Sequence, residues 1–292
     1  SNYHHSVDLS APGIDIYSTT VNGAFTIESG TSMAVPMASG AAALLMTQDP
    51  NLNASELEAI LQASATNTDL LNAPYLRKLG SGRLNVADAV DGGIDRESGS
   101  ILSIEVIEED DNGAIDRNEE VRLAIRIRND LAPASSMQLS VEPEVPLSVT
   151  IAEPNVLFES LDRGEIRETP ESSVVLTFPD GIADDSRVGL WINLASADNS
   201  VWRYVALDVY PTWATTELNN ISATFDGDGS IAYNGLDQQQ GDGFYFRGKG
   251  SLLWHAGMML GFSENSVADA VRVGPKSMGL DDDLELVSPY RL

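Results

Sequence analysis

The chain has 292 residues, 42% of them hydrophobic and 21% charged, no cysteine, and a formal net charge of −27 at pH 7 from 44 acidic and 17 basic side chains. That apolar fraction is too high for a disordered polyelectrolyte, and at roughly 100–200 residues per domain the length allows two or three domains. The acidity repels nucleic acid and anionic membrane surfaces as partners, and the lack of cysteine excludes disulfides, thiolate–zinc sites and a thiol nucleophile.

Charge divides the chain into three regions: 1–92 at net −6, 93–211 at −15 and 212–292 at −6. In the first, Ser6–Asp8 and Ile14–Tyr17 read as short strands separated by the turn Ala11-Pro12-Gly13. A helix is expected over Met33–Met46, with Pro36 near its start and Asp49-Pro50 ending it. Asn53-Ala54-Ser55-Glu56 is a capping-box pattern opening a second helix with the stripe Leu57, Ile60, Leu61. Met33–Met46 is also the longest mostly apolar run. It falls short of the ~20 residues of a membrane span and is broken by Pro36, Ser39 and Gly40.

The second region changes to period two. Val121, Leu123, Ile125 and Ile127 share one face, and Ile101–Ile107, Met137–Val141, Leu147–Ile151, Val174–Phe178, Val188–Leu194 and Val201–Val209 are further strand-like runs. Seven short runs with Pro, Asp and Gly between them predict an antiparallel β-sandwich. The third region is rich in Gly, Asn, Gln and aromatics, with Phe244–Phe246 and Ser251–Trp254 as candidate strands of a second β-rich module.

Ser29-Gly30-Thr31-Ser32-Met33-Ala34-Val35-Pro36 sets a hydroxyl at the mouth of a helix, where unpaired N–H groups and the positive dipole end converge. An acyl-transfer nucleophile needs that environment, because its oxyanion can be held by local N–H groups. The plainer reading of the same residues is that Thr31 and Ser32 only cap a buried helix.

Three ordered stretches resemble the subtilisin-like serine proteases (subtilases): Val7–Ser18, Gly30–Leu45 with its Gly-Thr-Ser-Met-Ala-x-Pro core, and Gly80–Ala89. The resemblance implies an α/β fold in residues 1–92, the C-terminal part of a parallel sheet with helices on both faces. It makes Ser32 the catalytic nucleophile, a polypeptide the substrate, and a secreted, extracellular or cell-surface protein the setting. Met37 stands where many subtilases carry histidine. The family's catalytic Asp, His and oxyanion-hole Asn all precede the nucleophile, and no stretch here matches them. His4, His5 and His255 lie outside the family's histidine motif. The chain is therefore expected to be inactive alone, its partner being the missing N-terminal part of the catalytic domain. The competing reading is a non-catalytic adhesion or ligand-binding protein with a structural subtilase remnant.

Between Glu108 and Glu119, oxygen-bearing side chains fall at the first, third, fifth, ninth and twelfth places, with Gly113 sixth and Ile115 eighth. That spacing makes Asp110, Asn112, Asp116 and Glu119 candidate Ca2+ ligands, since hard oxygens converge on one ion while glycine allows the bend. A solvated acidic hairpin is the alternative. Asp226–Gly229 and Asp281–Asp283 are weaker cation candidates, and Trp191, Trp202, Trp213 and Trp254 would stack on sugars if exposed.

Overall fold

Strand β4 (Val121–Asn129) buries Val121, Leu123, Ile125 and Ile127 completely, as its alternation dictates. It pairs antiparallel with β3 (Gly99–Ile107), where Ile101 faces Ile127 while Ile104 and Val106 face Ile125 and Leu123. Leu102 is the extra residue of a β-bulge and is exposed, so the apolar phase of β3 resets at that point. The computed structural model describes residues 3–109, 114–226, 230–231, 243–246, 256–257, 259–263 and 266–269.

In chain order the elements are β1 (Ile16–Thr19), β2 (Phe25–Glu28), α1 (Thr31–Gln48), α2 (Ala54–Ala63), α3 (Val86–Val90), then β3, β4, β5 (Ala134–Pro143), β6 (Thr150–Ala152), β7 (Asn155–Leu161), β8 (Ile166–Glu168), β9 (Val175–Thr177), β10 (Ser186–Ala195) and β11 (Ser200–Val209). Two antiparallel sheets follow the helices. One has the order β3-β4-β9-β6 with β8 also on β4, and the other has the order β11-β10-β5-β7. Leu139 and Val141 of β5, Val156 and Phe158 of β7, and Leu190, Ile192 and Leu194 of β10 are buried. Strands β12 (Trp213–Leu218) and β13 (Ile221–Asp226) then form a hairpin, and shorter strands through Ser266–Asp269 complete the described residues.

Residues 1–92 differ from the expected parallel sheet. The strand expected at Ser6–Asp8 is irregular, and among the described residues parallel pairing in this region is confined to one bridge, Ser10 with Arg83, while β1 and β2 form an antiparallel hairpin. A parallel strand needs neighbours brought alongside by crossovers; the stretch after Asp8 finds one such partner. The helices are as expected. Asn53 caps α2 by accepting from Glu56 N–H at 3.1 Å while Glu56 accepts from Asn53 N–H at 2.9 Å. The small core here unites Ala41, Leu45, Leu52, Ala59, Ile60, Leu61, Leu84 and Ala89 with Leu131, which follows β4.

Contacts group the chain into two compact units that alternate along it. The first comprises Ser1–Ile107, Glu120–Thr177 and Gly189–Ala206, and holds all three helices and most of both large sheets. The second comprises Glu108–Glu119, Phe178–Val188 and Leu207–Leu292. In it Ile115 bridges Val209 and accepts from Tyr210 N–H at 2.9 Å. Arg117 lies 4.3 Å from the Tyr210 ring centroid and 2.5 Å from Asp184.

Candidate active site

Helix α1 starts where its sequence permits a sharp entry. Gly30, the residue before it, holds φ +157° and ψ +169°, a region essentially only glycine occupies. Its N–H donates to Gly13 carbonyl at 2.7 Å, tying the Ala11-Pro12-Gly13 turn to the helix entry. A Cβ on Gly13 would meet the Gly30 carbonyl oxygen at 2.6 Å, so the close approach requires glycine. On the other side, Ser29 Oγ accepts from Asp15 N–H at 2.9 Å.

Thr31 and Ser32 occupy the first turn of α1 and both are exposed. At a helix start these N–H groups have no intrahelical acceptor, and the dipole favours negative charge beside them. An open, largely apolar cavity of about 560 Å³ lies next to this turn, lined by Ala11–Ile14, Ser29–Thr31 and Ala34. A hydroxyl so placed can attack an acyl group and leave its oxyanion among backbone donors, provided a base takes the proton.

The structure brings together the stretches singled out in the sequence. Ser81 N–H donates to Asp8 carbonyl at 3.0 Å, Ser10 N–H to Gly82 carbonyl at 2.9 Å and Leu84 N–H to Ser10 carbonyl at 2.7 Å. Gly80, at φ +72°, and Gly82, at φ +131°, make this possible: a Cβ would strike the backbone of Asp8 at 2.4 Å and of Thr66 at 2.3 Å. The glycine-rich turn thus packs on the stretch around Asp8–Ser10, and the chain just after it holds the entry of α1 through Gly13.

Of the histidines, His4 and His5 are described, and both have partners away from Ser32. The His4 and His5 rings lie 3.6 Å apart, tilted by 37°, His5 lies 4.6 Å from the Tyr204 ring, and His4 Nδ1 is 2.8 Å from Ser6 Oγ. Burial and the neighbouring positive groups of His4 and Lys78 push the His5 pKa down, against an opposing pull from Glu144.

Of the candidate calcium ligands, Asp110 and Asn112 lie outside the described residues, as do Trp254, His255, residues 227–229 and Asp281–Asp283. Glu119 turns back into the loop, its two carboxylate oxygens accepting from Glu109 N–H at 2.7 Å and Asp116 N–H at 2.9 Å. Among the described residues no three acidic or histidine side chains converge as a metal cluster. Trp191 is buried, and the Arg77 guanidinium covers half-buried Trp202 at 3.7 Å from its ring centroid, so both take part in packing. That arginine went unnoticed in the sequence: its partners lie 65 or more residues away, and no local pattern marks it.

Comparison with known proteins agrees with the sequence resemblance. Residues 1–99 match the Subtilase family. The cell wall-associated protease of Bacillus subtilis (strain 168) is 51% identical over 65 residues, covering 22% of this chain and 7% of that protein. Subtilisin DY of Bacillus licheniformis is 43% identical over 61 residues, covering 21% and 22%. An extracellular serine protease of Serratia marcescens is 33% identical over 106 residues, covering 29% and 10%. The chain thus spans between 7% and 22% of the length of these relatives. Residues 1–99 therefore resemble a segment of the subtilase family.

Proposed function

We propose that this chain is part of a secreted subtilisin-like serine endopeptidase, with Ser32 as the nucleophile that forms the acyl-enzyme. The carrying observation is α1 itself, which presents exposed Ser32 on its first turn and is apolar on every side. Ala41 and Leu45 are buried, yet Val35 is 62% and Leu44 51% exposed, with Met37 and Met46 also open to solvent. A helix apolar all round belongs inside a larger domain. Ile14 and Tyr17, 79% and 68% exposed, extend the uncovered apolar surface around the same turn. We assign that surface to the rest of the catalytic domain, which would supply the Asp, His and oxyanion-hole Asn in the family's order.

In that assembly Ser32 Oγ attacks the scissile carbonyl and gives its proton to the supplied histidine. The oxyanion is received by N–H groups at the α1 entry and by the supplied Asn, and the proton then passes to the leaving amine. Without a positioned base a serine hydroxyl is a weak nucleophile, so this chain alone is inactive in our reading. The names of the relatives, one extracellular and one cell wall-associated, support an extracellular setting. The same proposal divides the chain into a catalytic part (1–92), a β-sandwich accessory domain (93–211) and a further β-rich module (212–292).

A fluorophosphonate probe tests the assignment. It labels the assembled protease, it does not label this chain alone, and Ser32→Ala abolishes labelling. Labelling that persists in Ser32→Ala overturns it. Calcium in the 108–119 loop, held by Asp110, Asn112, Asp116 and Glu119, is a subsidiary proposal supported by donor type and spacing. Titrating calcium into the whole chain should raise its melting temperature; an unchanged value refutes it.

A further inference from the structure

Arg77 sits in a socket built by three neighbouring strands. Its guanidinium lies 3.7 Å from the ring centroid of Trp202 on β11 and 5.6 Å from that of Trp191 on β10, and it forms an ion pair with Glu142 on β5. Those strands are adjacent in the order β11-β10-β5, and Trp191 and Glu142 are direct cross-strand partners. The two indoles meet edge to face at 6.4 Å, so one ring's face is left for the cation. A planar guanidinium suits this socket, stacking on an indole while its edge reaches a carboxylate.

Arg77 also holds φ +61°, which costs a side-chain-bearing residue energy and persists where surroundings enforce it. Around it, Asp8 lies 3.8 Å from Arg203, His5 packs on Tyr204, and the Tyr204 hydroxyl donates to Glu144 at 2.7 Å. A second patch pairs Arg163 with Glu56 of α2 and places fully buried Leu131 in the helical core. All these residues belong to the first compact unit.

We propose that Arg77 is the anchor fastening the loop before the glycine turn to the β11-β10-β5 sheet, so that residues 3–98 and the two large sheets open as one cooperative body. The sheets are then structural support for the subtilase segment and not a tethered appendage. This stands whether or not Ser32 is a nucleophile.

Native-state hydrogen exchange on the whole chain tests it. In the unsubstituted protein, the slowest amides of α2 (Ile60, Leu61) and of β4 (Leu123, Ile125) exchange through a shared opening with equal protection. In Arg77→Ala, α2 protection falls at least tenfold while that of β4 changes less than twofold, and tryptophan emission shifts red as Trp202 loses its cover. Arg77→Lys recovers less than half of the loss on a logarithmic scale, and Arg77→Ala/Trp202→Ala loses no more than the worse single variant. The proposal is overturned if α2 protection moves less than twofold, if α2 and β4 fall equally, or if the two single losses multiply. Should Arg77→Ala not fold, Glu142→Gln serves: a selective loss of about threefold in α2 supports the anchor, and an equal loss in β4 overturns it.

Discussion

Adding one methyl group at Gly13 and at Gly40 should move stability in opposite directions. At Gly13 the new Cβ would stand 2.6 Å from the Gly30 carbonyl oxygen and 3.2 Å from Ala34 Cβ, the first about 0.8 Å inside an ordinary contact of 3.4 Å. That oxygen belongs to backbone, and Gly30 is itself held to Gly13 by a 2.7 Å hydrogen bond, so the turn must shift as a whole. Overpacking of this kind costs about 1–3 kcal/mol. At Gly40, inside α1, the added Cβ meets nothing within 4 Å, and alanine there stabilises by about 0.5–1 kcal/mol through the unfolded chain. For a cooperative body of this size each kcal/mol moves the melting temperature by roughly 2–4 °C. Calorimetry at fixed pH should therefore show Gly13→Ala lower by roughly 2–12 °C and Gly40→Ala higher by roughly 1–4 °C. In the assembled protease, Gly13→Ala should slow fluorophosphonate labelling by about tenfold or more, because displacing the turn misplaces the hydroxyl. Shifts of the same sign, or a Gly13→Ala variant that melts and labels normally, would refute the close-packed turn.

Asn53→Ala removes the side-chain half of the capping box, leaving the backbone bond from Asn53 N–H to Glu56, and should cost about 1 kcal/mol, with Asn53→Ser restoring most of it; a melting temperature within 1 °C of the parent refutes the cap's contribution. Acidification should weaken the His5 contact. Because the folded pKa lies below 6.5, the unfolded chain takes up the proton first, so stability present above pH 6.5 is lost as pH falls toward the folded pKa. Burial drives the shift first, then His4 and Lys78, while Glu144 opposes it, so His5→Gln should lose less melting temperature than the parent between pH 7.5 and 5.5. An equal loss would count against the assignment.

What the sequence discloses depends on the range over which each feature is decided. The capping box at Asn53 and the alternation of Val121–Ile127 are local, and both appear as read. The bulge at Leu102 is set by pairing with β4, so simple alternation assigns the wrong face to the residues after it. Strand β7 escaped detection for a related reason: Val156 and Phe158 alternate inward, but Ser160 adopts φ +47° and the next buried residue is Leu161, which breaks the period. The exposed hydroxyl at the helix mouth was legible because four consecutive residues build it. The Arg77 socket was not, since it draws one residue from each of three strands far downstream.

The interleaving of the two units has a consequence for biosynthesis. Residues 108–119 leave the ribosome early, yet Val209 and Tyr210, which Ile115 and Arg117 contact, follow roughly ninety residues later. At ~5–20 residues per second that is a wait of about 5–20 s before Ile115 and Arg117 meet these partners. No single cut yields either unit intact, because each is assembled from pieces separated by the other.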